Sequence, residues 1–378
     1  MNADEPTGAA APPNPADGPT VATPPSGVSV PAREVPVVFT GSGGEYFRVW
    51  IVNIALSLLT LGIYSAWAKV RNRRYFYGHT TVEGIAFDYT ADPIAILKGR
   101  VIVVGALLTY SLTASVWPDV EPVMFVLALP LVPWVVNRAM AFNARYSAHR
   151  GLRFGFDGSY WPAFRALIGW PALGIATFGL LYPLAVQRRR RYLMGQHRFG
   201  SSQARCEPTV GPFYRAYAGA SLIAVSGLAL IVVASGGLDP FERPQDAFAC
   251  SLAPVSSMVF YTLAGTAATL LTFITVTTYL QTRIGNHVWS RTALDGHRFV
   301  LAMQYRRMLA IQLTNALLII ATLGLAIPWA KVRTTRYRVQ SMHLVVAGSL
   351  ATFTAGPRAR ESALGQELGD AIDLDLGL

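Results

Sequence analysis

The sequence contains few charged residues. Asp, Glu, Lys and Arg make up 14% of its 378 residues, whereas soluble globular proteins carry about 25%. Hydrophobic residues make up 52%, and several apolar runs have about the 20 residues that a membrane-spanning helix needs. Such a shortage of charge excludes an ordinary soluble globular protein and predicts an integral membrane protein.

Lysine and cysteine are also scarce. Lys69, Lys98 and Lys331 are the only lysines, so arginine supplies nearly all of the positive charge behind the net value of +11. The two cysteines, Cys206 and Cys250, define neither a metal site nor a disulfide framework. Residues 1–36 lack the apolar core of a signal peptide, so we expect the first membrane element to act as its own insertion signal.

Catalytic signatures are missing as well. We find no Ser-His-Asp set, phosphate-binding loop, dinucleotide fingerprint or pair of carboxylates inside an apolar run. No two of the six histidines have the spacing of zinc ligands on one helix. We therefore expect no enzyme, no metal and no cofactor. A proton pump is also disfavoured, because pumps usually keep an acidic residue inside a span.

One motif is present in three copies. Residues 60–75 read TLGIYSAWAKVRNRRY, residues 322–337 read TLGLAIPWAKVRTTRY, and residues 177–192 form a weaker copy, TFGLLYPLAVQRRRRY. Constant offsets of 117, 145 and 262 relate the copies without gaps, which indicates internal duplication. In each copy an apolar segment meets a glycine, then a short apolar arm, then a basic cluster that ends in tyrosine. The residues to which we assign a structural role in these repeats are Asn53, Gly62, Trp67, Tyr75, Gly179, Pro183, Tyr192, Asn315, Gly324, Pro328, Trp329 and Tyr337.

The remaining segments complete a predicted fold. We expect repeated elements at 46–75, 163–192 and 306–337, and long helical hairpins at 94–142 and 216–280. Segments rich in β-branched and aromatic residues predict strands at 35–40, 80–89, 152–157, 196–203, 292–301 and 342–347. The predicted fold class is therefore a mostly α, polytopic membrane protein with internal repeats, whose short β-strands form a small cytoplasmic layer.

The domain boundaries follow from composition. The membrane domain is predicted to cover residues 35–350. Residues 1–34 are rich in Ala, Pro and Gly, and residues 351–378 are acidic. Both ends are predicted to be disordered tails, because they cannot bury enough apolar surface to offset the entropy of ordering.

The distribution of charge leaves two topologies open. If all seven apolar segments cross the bilayer, the basic loop 188–215 lies opposite the basic cluster at 69–74, against the positive-inside bias. If the three repeated elements instead enter and return, turning at Gly62, Gly179 and Gly324, every basic cluster and both termini lie in the cytoplasm. Re-entrant turns must be covered by protein, so the two long hairpins would have to pack around them. The charge bias favours this second arrangement.

Eight basic residues are candidate contacts for lipid phosphates or other anions, because guanidinium groups bind phosphate through two hydrogen bonds. The topogenic and interfacial role of positive charge alone also explains their presence, and it is the favoured explanation. These candidates are Lys69, Arg71, Arg74, Arg188, Arg191, Lys331, Arg333 and Arg336.

Polar residues inside the apolar segments can have one of two roles. Asn53 and Asn315 either belong to a transport path or form an interhelical hydrogen bond that holds two copies together. Threonines at helical spacing between 262 and 275 either line a path or bond to their own helix, which is commoner.

The repeated pattern resembles the YjgN-like family of bacterial inner-membrane proteins, a domain of unknown function. The resemblance covers roughly residues 37–350 and implies a multi-pass protein of the cytoplasmic membrane, without implying a reaction. The middle copy departs from the pattern, with Trp170 where Asn53 aligns and Leu184 where Trp67 aligns. The match is carried by Phe39, Gly41, Asn53, Thr60, Leu61, Gly62, Tyr64, Trp67, Arg71, Arg74 and Tyr75, and again by residues 315–337.

These observations predict a non-enzymatic inner-membrane protein. We expect it to bind lipids, above all anionic ones, or to organise the membrane through its basic cytoplasmic face. The alternative is a channel or transporter in which re-entrant elements line a path. Nucleic acid is a disfavoured partner, because apolar runs flank every basic cluster.

Overall fold

Short strands form a closed barrel. The computed structural model describes residues 33–235, 253–347 and 353. Ten strands pair antiparallel with their neighbours in sequence, and the last strand pairs with the first. They are β1 (Arg33–Phe39), β2 (Thr80–Val82), β3 (Ile85–Tyr89), β4 (Ser147–His149), β5 (Leu152–Phe156), β6 (His197–Phe199), β7 (Ser202–Cys206), β8 (Thr292–Leu294), β9 (His297–Leu301) and β10 (Met342–Val346).

Helices connect alternate pairs of strands. They are α1 (Gly43–Leu59), α2 (Ser65–Gly78), α3 (Pro93–Val116), α4 (Glu121–Ala128), α5 (Leu131–Arg145), α6 (Tyr160–Phe164), α7 (Trp170–Ala176), α8 (Tyr182–Gly195), α9 (Gly211–Ala234), α10 (Ala253–Trp289), α11 (Tyr305–Ala321) and α12 (Ile327–Gln340). A 3-10 turn at Pro118–Val120 precedes α4, and a π-helical segment at Arg165–Gly169 joins α6 to α7.

The order of the elements divides the barrel domain into five units, each a strand, a helical hairpin and a second strand. Unit 1 runs from β1 through α1 and α2 to β2, and unit 2 from β3 through α3, α4 and α5 to β4. Unit 3 runs from β5 through α6, α7 and α8 to β6. Unit 4 runs from β7 through α9 and α10 to β8, and unit 5 from β9 through α11 and α12 to β10.

One backbone hydrogen bond recurs in all five units and defines equivalent positions. The amide that follows the first strand donates, at 2.9 to 3.2 Å, to the carbonyl of the first or second residue after the last helix. The bonded pairs are Thr40–His79, Thr90–Tyr146, Asp157–Gln196, Glu207–Arg291 and Ala302–Ser341. The sixth residue after the amide donor of this bond is almost fully buried in every unit: Tyr46, Ile96, Ala163, Phe213 and Met308.

Two-residue turns link the units along the barrel rim. Glu83 and Gly84 both have positive φ angles, of 50° and 77°, and the pairs Arg150–Gly151 and Asp295–Gly296 have similar values. Positive φ at both central positions is the requirement of a type I′ turn, whose twist matches that of the flanking strands. Each of these segments is therefore a hairpin of two strands.

The barrel interior is filled by side chains. The ring of Phe87 lies 4.5 Å from that of His149, and the ring of Phe154 lies 4.8 Å from that of Phe199. Phe353 follows the last strand and packs its ring 5.1 Å from Phe199. A packed interior of this kind stabilises the barrel by burying apolar surface.

The predicted fold class is wrong. The strands close into a ten-stranded barrel instead of a small layer. Among the described residues, three helical segments are long and apolar enough to cross a membrane: Pro93–Val116, Gly211–Ala234 and Met258–Trp289. A fourth is added if Pro118–Ala128 and Leu131–Arg145, which are bent by 52°, count as one span. The error arose because segments 80–89 and 292–301 were each taken as one strand, although Asp295-Gly296 in the second segment is a recognised hairpin turn.

The predicted tails cannot be compared with the structure in full. Arg33 and Glu34 belong to β1, so ordered structure begins slightly before the predicted boundary at residue 35. Residues 1–32, 236–252 and 354–378 lie outside the described residues, as do residues 348–352. The disordered tails therefore remain predictions.

Candidate functional site: a basic ring beside apolar hairpin tips

The three short hairpins, α1–α2, α7–α8 and α11–α12, end in tips with the same backbone conformation. In each tip a bulky residue with φ near 50° precedes a glycine with φ near 90°. The amide of the glycine donates to a carbonyl five residues earlier, at 2.7 to 2.8 Å. The pairs are Leu61–Gly62, Phe178–Gly179 and Leu323–Gly324, so the three predicted glycine turns lie where the left-handed conformation requires glycine.

A threonine stabilises each tip. The Thr60 hydroxyl donates to the carbonyl of Leu56 and accepts a hydrogen bond from the amide of Tyr64, at 2.7 and 2.9 Å. Thr177 and Thr322 make the same two bonds in their own tips. The predicted prolines, Pro183 and Pro328, lie in the first turn of the second helix, where a missing amide hydrogen costs nothing.

The tips present apolar side chains on their surface. Leu61 is 95% exposed, Phe178 99% and Leu323 95%. Large apolar side chains that are almost fully exposed at three equivalent tips favour contact with lipid or protein over contact with water.

Arginine recurs at one equivalent position in all five units. It lies eight residues before the residue whose carbonyl accepts the recurring backbone bond. We call these five residues the arginine ring: Arg71, Arg138, Arg188, Arg283 and Arg333.

The ring arginines contact neutral groups. Arg71 donates to the hydroxyl of Tyr64 at 2.9 Å, and Arg333 donates to the hydroxyl of Thr314 at 2.8 Å. The guanidinium groups of the other three stack on the rings of Trp134, Trp170 and Tyr279, at 5.2 to 5.8 Å. Throughout the described ranges, no carboxylate oxygen lies within 4.0 Å of a ring guanidinium nitrogen. The positive charge of the ring is therefore not compensated by the described part of the chain.

Three further predicted basic residues hold neighbouring units together. Arg336 donates to the carbonyl of Gly41 at 2.7 Å, and Arg74 donates to the carbonyl of Tyr89 at 3.4 Å. Arg191 lies 4.0 Å from the carboxylate of Glu207. Each of these contacts crosses from one unit to the beginning of the next, so these arginines have a structural role whatever else they bind.

The two predicted lysines differ in their surroundings. The Lys331 ammonium lies 4.9 Å from the centre of the Phe76 ring and 5.8 Å from that of Tyr46, which are favourable cation–π distances. The Nζ atom of Lys69 is buried. The structure therefore places Lys331 between units 5 and 1, and it places Lys69 away from an exposed anion-binding surface.

Asn53 and Asn315 each join the two helices of their own hairpin. Asn53 donates to the side chain of Asn72 at 3.1 Å, and Asn315 donates to the hydroxyl of Thr334 at 3.0 Å. Both asparagines are 4% exposed. These contacts agree with the hypothesis of an interhelical hydrogen bond. Each bond, however, joins the two helices of one copy and does not join two copies. In the middle copy, Trp170 takes this position and stacks on Arg188.

The remaining predicted repeat residues pack between elements. Trp329 lies against Phe47, with 4.9 Å between ring centres, and a Cβ atom at Gly43 would lie 2.2 Å from the Trp329 ring. Trp67 stacks on Tyr64 at 6.2 Å. The three tyrosines, Tyr75, Tyr192 and Tyr337, each donate a hydrogen bond to the backbone at the beginning of their own hairpin.

Burial raises the pKa of two of these tyrosines. That of Tyr192 rises to about 12, although its hydrogen bond to Asn137 acts in the opposite direction. The pKa of Tyr75 is also raised, mainly by burial. Both hydroxyls therefore stay protonated at neutral pH and act as hydrogen-bond donors.

The threonines between 262 and 275 bond to their own helix. Each hydroxyl donates to the carbonyl four residues earlier, at 2.7 to 2.8 Å. Among the described residues, no group of three or more His, Cys, Asp or Glu side chains is placed to hold a metal ion.

Two small cavities adjoin the ring. One of about 240 Å³ is lined by Trp134, Asn137, Arg138 and Tyr160, with three other residues, where unit 2 meets unit 3. The other, of about 270 Å³, lies between α11 and α12 and is lined by Arg307, Arg333, Arg336 and Tyr337, with Ala310, Ile311 and Gln340.

Comparison with known proteins identifies the family. A family model described as "Bacterial protein of unknown function (DUF898)" matches residues 34–371. The chain belongs to this family. The predicted YjgN-like resemblance is thereby confirmed, since relatives in the family carry that name.

Two relatives show what the resemblance covers. The inner membrane protein YjgN of Salmonella typhimurium is 31% identical over 152 residues, which are 40% of this chain and 38% of that protein. The YjgN protein of Escherichia coli K12 is 30% identical over 132 residues, 34% of this chain and 33% of the relative. The match thus spans less than two fifths of either relative. No solved structure matches the chain. The names of the relatives and the three apolar helices support a location in the bacterial inner membrane.

Sequence reasoning missed three basic residues of the site. Arg138 and Arg283 aligned with each other at an offset of 145 but were not connected with the motif of the short hairpins. Only the recurring backbone bond shows that they occupy the same position. Arg307 was missed because no repeated partner marks it, since Glu45 and Pro162 occupy the equivalent positions in units 1 and 3.

Proposed function

We propose that this chain is a multi-pass protein of the bacterial inner membrane that holds anionic lipid head groups at its arginine ring. The proposal is carried by one observation: five arginines without a nearby carboxylate occupy equivalent positions between a barrel and apolar hairpin tips. Each arginine near the surface of an anionic membrane contributes about 1 kcal/mol to the free energy of binding to the lipids. It also sets the cytoplasmic side of the membrane.

The length of the short hairpins fits one leaflet. Ten residues separate Leu61 from Arg71, and the same number separates Phe178 from Arg188 and Leu323 from Arg333. The last seven of these residues are helical and span about 10 Å, and the turn that carries the exposed residue extends the tip further, so each short hairpin fits within one half of the roughly 30 Å hydrocarbon core. With the ring at the head groups, the exposed tips would lie inside the hydrocarbon without crossing it, and the chain would return. The short hairpins are therefore re-entrant in this proposal.

The long hairpins can cross the whole bilayer. Twenty-five residues separate Met258, the first residue of the candidate span in α10, from Arg283. They span about 37 Å in a helix, more than the roughly 30 Å core. The hairpin of unit 2 has a comparable apolar length but is bent at Leu129 and Pro130.

The barrel belongs outside the hydrocarbon. Its strands have three to seven residues, whereas a membrane-spanning strand needs about 9 to 11. The positive-inside bias then places the barrel, together with β1 and β10 at the two ends of the described chain, on the cytoplasmic side.

Lipid retention tests the proposal. The full chain is purified from vesicles in which phosphatidylglycerol replaces increasing amounts of phosphatidylethanolamine, and the retained lipids are counted by native mass spectrometry. We expect phosphatidylglycerol to be enriched on the wild-type protein and the enrichment to be lost when all five ring arginines are replaced by Gln.

A matched control variant has arginines of the barrel replaced by Gln, with the arginine ring unchanged. Arg153, Arg205 and Arg298 are exposed on strands β5, β7 and β9, and their replacement by Gln should leave the enrichment unchanged. Equal enrichment in the ring variant and the wild type would contradict the proposal.

A further inference from the structure

We propose that the cavity between α11 and α12 is a specific site for a lipid head group that carries two phosphates, such as that of cardiolipin. This inference rests on the proposed function, because it assigns a preferred ligand to one position beside the arginine ring. It concerns unit 5 alone.

Positive charge is concentrated in this cavity. Arg307, Arg333 and Arg336 line a space of about 270 Å³. Within the part of the chain that the structure describes, no carboxylate lies within 4.0 Å of any of the three guanidinium groups. Like charges that share a small space repel one another, and an anion with more than one negative charge removes that cost.

The arginines retain hydrogen-bond donors for such an anion. Each guanidinium has five N–H donors. Arg336 uses one strong bond to the carbonyl of Gly41, and Arg333 uses one to Thr314. Arg307 stacks on the ring of Tyr337, with 5.1 Å from Cζ to the ring centre. These contacts hold the guanidinium groups in place and leave N–H groups free to bind phosphate oxygens in pairs.

The neighbouring surface fits a lipid instead of a soluble phosphate. Ala310 and Ile311 form an apolar wall of the cavity. Along the same helix towards the tip, Leu317 is 68% exposed and Ile320 is 61% exposed. The cavity, of about 270 Å³, is smaller than the roughly 300 to 1,000 Å³ of most sites for small molecules, so in this proposal it takes the phosphates of the head group while the acyl chains lie outside it along α11.

The other units lack this combination. Counting from the recurring backbone bond, Arg307 corresponds to Glu45, Ala95, Pro162 and Pro212. In unit 1, the position equivalent to Arg307 therefore carries an acidic residue, Glu45, in the hairpin of Arg71 and Arg74. Unit 1 provides a natural reference for a hairpin with ring arginines and no dianionic site.

The test compares two lipids at equal total charge. Full-length protein is offered vesicles that contain either cardiolipin or twice as many molecules of phosphatidylglycerol, and the ratio of bound cardiolipin to bound phosphatidylglycerol is measured by native mass spectrometry. We expect the wild type to prefer cardiolipin. Arg307→Glu, which copies unit 1, should lower the affinity for cardiolipin at least about tenfold, the effect of losing a hydrogen bond between charged groups.

Matched variants separate this site from the ring. Arg307→Lys keeps the charge but loses the paired hydrogen bonds of the guanidinium, and its preference for cardiolipin should lie between those of Arg307→Glu and the wild type. Arg188→Gln removes a ring arginine of unit 3, which does not adjoin unit 5 in the barrel, and should lower the binding of both lipids without changing their ratio. A thermal unfolding curve for each variant confirms that it is folded.

Each outcome has a distinct meaning. A wild type that retains anionic lipids but does not distinguish cardiolipin overturns the site and leaves the proposed function standing. A wild type that retains no anionic lipid overturns both. If inorganic phosphate displaces cardiolipin at equal concentration, the ligand is a soluble phosphate and the lipid assignment is wrong.

Discussion

The hydroxyl of Tyr75 donates a hydrogen bond of 2.8 Å to the backbone carbonyl of Ser42, the residue that caps α1. The bond ties the end of the second helix of a short hairpin to the beginning of the first. Its counterparts join Tyr192 to Ser159 and Tyr337 to Gln304, in each case across 33 residues.

Loss of this bond should destabilise unit 1. Replacing Tyr75 by Phe removes one hydroxyl and leaves the carbonyl of Ser42 without its side-chain donor. We expect the free energy of unfolding to fall by about 1 kcal/mol, measured by denaturant titration in detergent. Tyr182→Phe is the control, because the structure gives its hydroxyl no hydrogen bond to a described residue. Equal losses from the two changes would refute the role given to Tyr75.

Acid should weaken the barrel through its buried histidines. Burial lowers the pKa of His149, with Arg150 nearby acting in the same direction, and burial also lowers the pKa of His197 and His297. Because the folded state binds these protons less readily than the unfolded state, stability is present above the unfolded pKa, about 6.5. It is lost as pH falls below that value.

A single substitution isolates the contribution of His149. Neither of its ring nitrogens has a hydrogen-bond partner among the described residues. The equivalent positions in other units carry Val82, Phe199, Leu294 and Leu344. His149→Leu should therefore raise the free energy of unfolding at pH 5 and flatten its dependence on pH. A pH profile identical to that of the wild type would contradict this explanation.

If the exposed tips lie in the hydrocarbon, a charged residue at a tip should reduce insertion of the protein into the membrane. Asp at the centre of a membrane helix costs about 2.5 to 3.5 kcal/mol, so Leu61→Asp and Phe178→Asp should reduce the membrane-inserted fraction of the protein. This fraction is measured by carbonate extraction of membranes. Val38→Asp is the control, since Val38 is 44% exposed on the barrel. Full insertion of both tip variants would argue that the tips lie outside the hydrocarbon.

Part of the structure could be predicted from the sequence. The glycine turns were placed correctly because Gly62 and its counterparts stand where the chain needs a positive φ angle. The regions of the six predicted strands also lie in the barrel, since β-branched and aromatic residues mark them.

The closed barrel could not be predicted from the same pattern. Segment 80–89 has β propensity throughout, and only the positive φ angles of Glu83 and Gly84 divide it into two strands. The arginine ring was hidden for a similar reason. Arg138 and Arg283 lie in hairpins whose helices differ in length from the short ones, so a search at constant offsets does not align them with Arg71.

Cysteine labelling from either side of the membrane tests most directly whether the hairpins enter the bilayer from the side of the barrel. In a chain with Cys206 and Cys250 replaced by Ser, single cysteines are introduced at Leu61, Asp119 and Ser201 and exposed to an impermeant maleimide in spheroplasts and in inverted vesicles. We predict that position 201 reacts only in inverted vesicles, position 119 only in spheroplasts, and position 61 in neither. Labelling of positions 119 and 201 from the same side, or of position 61 from the periplasm, would contradict the account.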